Sequence, residues 1–243
     1  MTLAVVTDSA ACLPPELARN HGIDVVPLHV IDDDVAPTTA RPSVAELAAA
    51  YTAALNRADE VLAVHIASVL SGTIDNARLA AQELAAGGRS ITVLDSGVSG
   101  GALGLAVLAA REAGDARRGA ARARECAARS RTFFLVDDLA GLRRGGRVDR
   151  TTALMGGALG IRPVLAMSAA GITVAETVRG EGFLVDVVGG ARGVRRGRGD
   201  TVECFFGAAG DGNFGADDVN GRYGVRHGGA GVFGDAAEAG GTF

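Results

Sequence analysis

Residues 61–82, VLAVHIASVLSGTIDNARLAAQ, set the segment SVLSGT between an apolar run and a run of helix formers. That segment carries three hydroxyls, one glycine and no charge. Hydroxyls at the end of a buried strand and the start of a helix suit an anion. The first N–H groups of a helix have no intrahelical acceptor, and the macrodipole favours negative charge there. Ser71, Gly72 and Thr73 stand at that point. The same residue types also form ordinary helix caps, so the segment alone leaves two readings, an anion site or a cap. Other strand ends repeat the chemistry: TDSA at 7–10, LDSG at 94–97 and VDD at 136–138. Asp8 and Asp95 invite a reading as a carboxylate pair or Mg²⁺ ligands, but no third acidic ligand stands in a motif with them, so no metal is expected. His65, inside an apolar run, is expected in the core or on a sheet face.

The elements that must position these residues alternate. LAVVTDS, IDVVPLHVI, VLAVHIA, SITVLDS and TFFLVDD read as strands. PPELARNHG, SVAELAAAYTAALNRA, the run after Thr73, GGALGLAVLAAREAG and ARRGAARARECAARS read as helices. Ser43 and Glu46 have capping-box spacing. Strands alternating with helices of this length predict an α/β fold, a parallel sheet flanked by helices, over residues 1–150. In an open sheet of that kind ligands bind outside the carboxyl ends of the strands. After residue 150 the pattern changes. TALMGGALG reads as a short helix, and IRPVLAMSAAGITVAETV as two strands turning at SAAG. A second, smaller α/β domain with antiparallel pairing is expected over 151–243, incomplete at its C-terminus. The last Leu is Leu184 and the last Ile is Ile172. From about residue 189 the glycine-rich sequence shows no period, so a poorly ordered or atypical tail is expected.

Composition narrows the classes. The chain has 243 residues, 48% of them hydrophobic but only 4% aromatic, so its core must be built from Ala, Val, Leu and Ile. A net charge of −4 gives no general attraction to nucleic acid. Every basic side chain other than histidine is Arg. The three cysteines, Cys12, Cys126 and Cys204, match neither a metal knuckle nor a redox pair. They read as thiols in a reducing cytoplasm. MTLAVVTDSA has neither a basic region nor a long apolar stretch, so no signal peptide is expected, and no window is apolar enough for a membrane span.

Six segments, in order, resemble the DegV family, a fatty-acid-binding group: VVTDSAACLPPELARNHGIDVVPLHV, TTARPS, IASVLSGTIDNARLAA, VLDSGVSGGALGL, DDLAGLRRGGRVD and LGIRPVLAMSAAGITVAETVRG. Together they span about residues 1–180. The resemblance implies two α/β domains with a long-chain fatty acid held between them and no catalysis by this chain. It implies presentation of the carboxylate to a separate fatty acid kinase, which forms an acyl phosphate. It also implies head-group roles for Thr39, Ser71, Gly72, Thr73 and Arg179, and for His227 in RHGGAG. No cofactor is implied.

Three departures stand out. Ala40 and Arg41 occupy positions where the family usually has Ser-Gln, the stretch before TTARPS is short, and the tail lacks the apolar strands of the family. Near Thr39 and SVLSGT the one cation is Arg41, which suits a single negative charge better than a nucleotide phosphate. The competing class is an enzyme acting on a phosphorylated small molecule through the TDS and SGT strand ends. No P-loop, no dinucleotide-binding glycine motif and no Ser-His-Asp constellation supports it. A third reading, a degraded scaffold without a ligand, is favoured by the tail.

Overall fold

In the computed structural model the first strand, β1 (Leu3–Asp8), is buried at every position. A strand covered on both faces needs a continuous apolar run rather than alternation, and LAVV supplies one. The structure describes residues 2–31, 38–85, 90–135, 139–148, 161–168, 170–179, 202–207, 223–227 and 230–234. The chain divides into two units, Met1–His29 with Thr39–Arg129, and Val30–Thr38 with Ser130–Phe243.

In the first unit β1 leads through a single 3₁₀ turn, Ser9–Ala11, into α1 (Pro15–Asn20) and β2 (Ile23–Val26). Then come β3 (His29–Ile31), whose Val30 and Ile31 are assigned to the second unit, and β4 (Thr38–Ala40), whose Thr38 is; the two strands form a small sheet of their own. IDVVPLHVI, expected as one strand, is thus two. Pro27 has no N–H for a ladder, and the Leu28 amide donates instead to Ser9 Oγ at 2.9 Å. There follow α2 (Val44–Leu55), β5 (Glu60–His65), α3 (Thr73–Ala85), β6 (Ser90–Asp95), α4 (Gly100–Arg111) and α5 (Ala116–Arg129). The sheet order is β2-β1-β5-β6 and every pairing is parallel. All four carboxyl ends therefore open on one edge.

The sheet is covered on both faces. One face carries Leu3, Val5, Leu62, Val64 and Leu94 against the alanine-rich stripes of α4 and α5. The other carries Ala4, Val6, Val61 and Ala63 against α2 and α3. On α2 the buried stripe is Leu47, Tyr51 and Ala54, the i, i+4, i+7 spacing of one helical face. Its start is the expected capping box. Glu46 N–H donates to Ser43 Oγ, and the Ser43 amide donates to Glu46 Oε2 at 2.7 Å. His29 Nε2 lies 2.8 Å from the other Glu46 oxygen.

The second unit contains β7 (Ser130–Leu135), α6 (Ala140–Arg144), β8 (Ile161–Ser168), β9 (Gly171–Arg179), β10 (Val202–Gly207), β11 (Tyr223–His227) and β12 (Ala230–Gly234). They form one sheet in the order β12-β11-β10-β7-β8-β9. Only the β7–β10 pair is parallel. The hairpin at SAAG is as expected, with Gly171 at φ 106 where a side chain would be strained. β7, read from the sequence as part of the first domain, pairs with β8 and β10. The sequence assigned no element beyond about residue 189, yet β10, β11 and β12 lie there. VECFF is rich in β formers, and the Gly-Gly pair between YGVRH and AGVFG is a hairpin signal. The glycine around them hid both. The helix expected at 152–160 lies outside the described residues. Among the described residues no helix is long and apolar enough to cross a membrane.

Gly104 tests how closely α4 approaches the turn after β1. A Cβ there would stand 2.6 Å from the Ala11 carbonyl oxygen. Alanine is better than glycine in a helix interior by about 1 kcal/mol, but overpacking costs about 1–3 kcal/mol. Gly104→Ala should therefore destabilise, by up to about 2 kcal/mol in urea unfolding. A more stable variant would show that helix and turn separate without loss.

The Glu46 carboxyl is held at about 2, against an ordinary 4.5, first by the Ser43 hydroxyl and then by the Ser43 amide and His29. A lowered carboxyl stabilises above its unfolded value and loses that contribution as pH falls. Glu46→Gln should melt below the parent at pH 7, and the gap should close between pH 4.5 and about 2. A gap that persists at pH 2 would assign the effect to shape rather than charge.

Candidate functional site

Asp8 ends β1 with its side chain wholly buried. Its Oδ1 accepts from the Ala10 amide at 3.1 Å, and its Oδ2 accepts from the Ile66 amide and from His65 Nδ1, each at 2.9 Å. A carboxylate only accepts, so Nδ1 carries the proton. In the neutral ring Nε2 is then an acceptor, and the Tyr51 hydroxyl lies 2.7 Å from it. Burial foremost, then the negative Asp8, raises the Tyr51 phenol above its ordinary range, which keeps it a donor. Tyr51, His65 and Asp8 are all fully buried. The network fixes the turn after β1 to the end of β5.

The loop that leaves β5 is folded by short hydrogen bonds. The Leu70 and Ser71 amides both reach the Ala67 carbonyl. Asp95 Oδ1 accepts from the Ser68 and Gly97 amides at 3.3 and 3.0 Å. Ser71 and Thr73 meet with their hydroxyl oxygens 2.8 Å apart, and the Thr73 amide donates to Ser71 Oγ at 3.3 Å. Ser71 thus satisfies the first unpaired amide of α3, a capping task, which is one of the two readings the segment allowed. That task does not exhaust the pair. Two hydroxyls own two protons and share one between them, which leaves one O–H free to donate. Ser71 is half-buried, Thr73 buried, and Val69 exposes 47% of its surface beside them.

Segment 39–42 comes to the same loop. The Arg41 side chain lies over Gly72, where a Cβ would overlap its guanidinium. Asn76, in the first turns of α3, donates to the Pro42 carbonyl at 2.8 Å. Thr39 itself is an exposed residue of β4, two positions before Arg41. Thr39, Ser71, Gly72 and Thr73 thus belong to the first unit, while Arg179 ends β9 and His227 ends β11 in the second. The side chains of Arg179 and His227 lie outside what the structure describes.

Sequence reasoning missed the Asp8–His65–Tyr51 network as a unit, although it placed His65 in the core. The available signals were the strand-end positions of Asp8 and His65 and the place of Tyr51 on the buried stripe of α2. Asp8 spends both oxygens on backbone amides and the His65 ring, and Asp95 Oδ1 accepts from two amides; among the described residues no group of three His, Cys, Asp or Glu side chains is placed to hold a metal.

A parallel sheet with hydroxyls, a guanidinium and a helix start at its carboxyl edge defines an α/β protein with a candidate anion site. A family profile described as "Uncharacterised protein, DegV family" matches residues 2–36 and 32–188. A DegV domain-containing protein of Deinococcus radiodurans is 38% identical over 209 residues, 74% of this chain and 73% of that one. The protein DegV of Bacillus subtilis is 31% identical over 194 residues, 68% of each. The chain belongs to the DegV family. Among solved structures, a fatty-acid-binding DegV family protein of Thermus thermophilus superposes with a TM-score of 0.70 at 31% identity, covering 85% of this chain and 82% of that one. The fatty acid binding protein DegV of Bacillus subtilis gives 0.65 at 29% identity, covering 77% and 76%.

Tyr51→Phe removes the proton that Tyr51 offers to Nε2 and leaves a buried acceptor unmet. A loss of about 1–3 kcal/mol is expected in urea unfolding at pH 7. Unchanged stability would show that His65 does not depend on the phenol.

Proposed function

We propose that this protein binds a long-chain fatty acid in the cytoplasm. Ser71 and Thr73 hydrogen-bond the carboxylate, and the chain presents it to a separate kinase rather than catalysing a reaction itself. The observation that carries this reading is the Ser71–Thr73 pair, 2.8 Å apart with one proton to spare at the start of α3. A carboxylate drawn out of water needs such donors, because burying it unpaired costs several kcal/mol. Family membership and the fatty-acid-binding relatives support the ligand class. Thr39 is the third hydroxyl in this reading, and Arg179 and His227 are further polar groups of it. The kinase partner rests on the family resemblance. The acyl chain gains about 0.8 kcal/mol for each buried CH₂, so affinity should rise with chain length.

Mass spectrometry of lipid extracted from the purified protein should show a long-chain fatty acid in near-stoichiometric amount. Recovery of a phosphorylated small molecule, or of no lipid with no binding on addition, would overturn the reading. Ser71→Ala separates ligand from cap. A hydrogen bond to a charged group is worth about 1.5–3 kcal/mol and a cap about 1. Fatty acid affinity should therefore fall tenfold or more while the melting temperature drops only slightly. Loss of stability with unchanged affinity would leave Ser71 a cap alone.

A further inference from the structure

We propose that Arg41 is the cation that the first unit contributes to the head-group site, and that it sets the preference for a singly charged carboxylate over a neutral lipid. The inference rests on the fatty acid reading above and names the group within it that recognises charge.

The argument starts at Gly72. Its φ is not among the positive values of the chain, so its backbone has no need of glycine. The atoms nearest a Cβ built there are Nη1, Cζ and Cδ of Arg41, the last at 3.2 Å. The missing side chain at 72 is thus the space in which the guanidinium lies. The root of Arg41 is fixed as well, because the next residue, Pro42, gives its carbonyl to Asn76 of α3 at 2.8 Å. An otherwise exposed arginine is thereby held over the residue that separates the Ser71 and Thr73 hydroxyls.

Charge is the second half of the argument. No carboxylate pairs with Arg41 among the described residues. Of the described acids, those closest in sequence to the site have other partners: Asp75 faces Arg78 at 3.7 Å, and Glu46 holds Ser43 and His29. The guanidinium, the spare hydroxyl proton and the positive end of α3 bring like polarity together, with no acidic side chain of the described residues paired to Arg41. An arginine fork offers parallel N–H donors that match the two oxygens of one carboxylate. One guanidinium balances one charge, whereas a phosphate dianion would keep an excess. A fatty alcohol of the same length would use the apolar contacts and the hydroxyls but gain nothing from Arg41.

The test is titration of the delipidated full chain with palmitate and with hexadecanol, at low and high NaCl. Arg41→Gln should weaken palmitate binding about ten- to a hundredfold and leave hexadecanol binding unchanged. Palmitate affinity of the parent should fall with salt, and that of Arg41→Gln should not. Gly72→Ala, tolerated by its backbone, should displace the guanidinium and reproduce the palmitate loss at an unchanged melting temperature. Palmitate affinity of Arg41→Gln within about twofold of the parent, with its salt dependence intact, would overturn the role of Arg41 while the fatty acid reading stands. A parent chain that binds neither palmitate nor hexadecanol would overturn both.

Discussion

The carboxylate of Asp8 is the point on which the first unit depends. A buried ion is tolerated only where donors replace the water it has lost. Here the donors come from three places: the turn that follows β1, the side chain of His65 and the backbone just after β5. Satisfying Asp8 therefore fixes where two strand ends lie relative to each other. His65 extends the constraint to α2 through Tyr51. Three secondary-structure elements are registered by one charge, at the residue from which the loop to Ser71 leaves β5.

That loop shows how capping and recognition coexist. Ser71 satisfies an amide that α3 leaves unpaired, which is a structural task. The pairing with Thr73 then turns two flexible hydroxyls into one donor of defined position. Around it the Ala67 carbonyl collects the Leu70 and Ser71 amides and the Asp95 carboxylate that of Ser68. A donor held this way needs no reordering to meet an anion, so little of the interaction energy is lost to organising the site.

The sequence made the parallel unit legible because its strands are buried on both faces and its helices carry a clear stripe. LAVV and VLAV are continuous apolar runs, and Ser43 with Glu46 announces α2. The SVLSGT loop was legible for the same reason, lying where a strand pattern gives way to a helical one. Pro27 split a strand whose apolar pattern ran on without a break. β10, β11 and β12 were missed because their short runs are diluted by glycine, and strand pairing at 130–135 with 202–207 joins segments too far apart for local pattern to reveal. The Asp8–His65–Tyr51 network was hidden for a related reason. Its members are 57 and 14 residues apart, and only the parallel register of β1 and β5 brings them together.

The alanine stripes of α4 and α5 have a consequence for how this chain can vary. Alanine has no rotamer freedom to lose on burial, so these helices pack without the entropic loss that larger side chains suffer. Their contacts depend instead on backbone closeness, as where a Cβ on Gly119 would fall 2.7 Å from Leu62. Such an interior has little left to remove and little room to add. Substitutions drifting through these faces are confined to glycine, alanine and serine, and change that elsewhere would be absorbed by repacking must here be met by movement of whole helices.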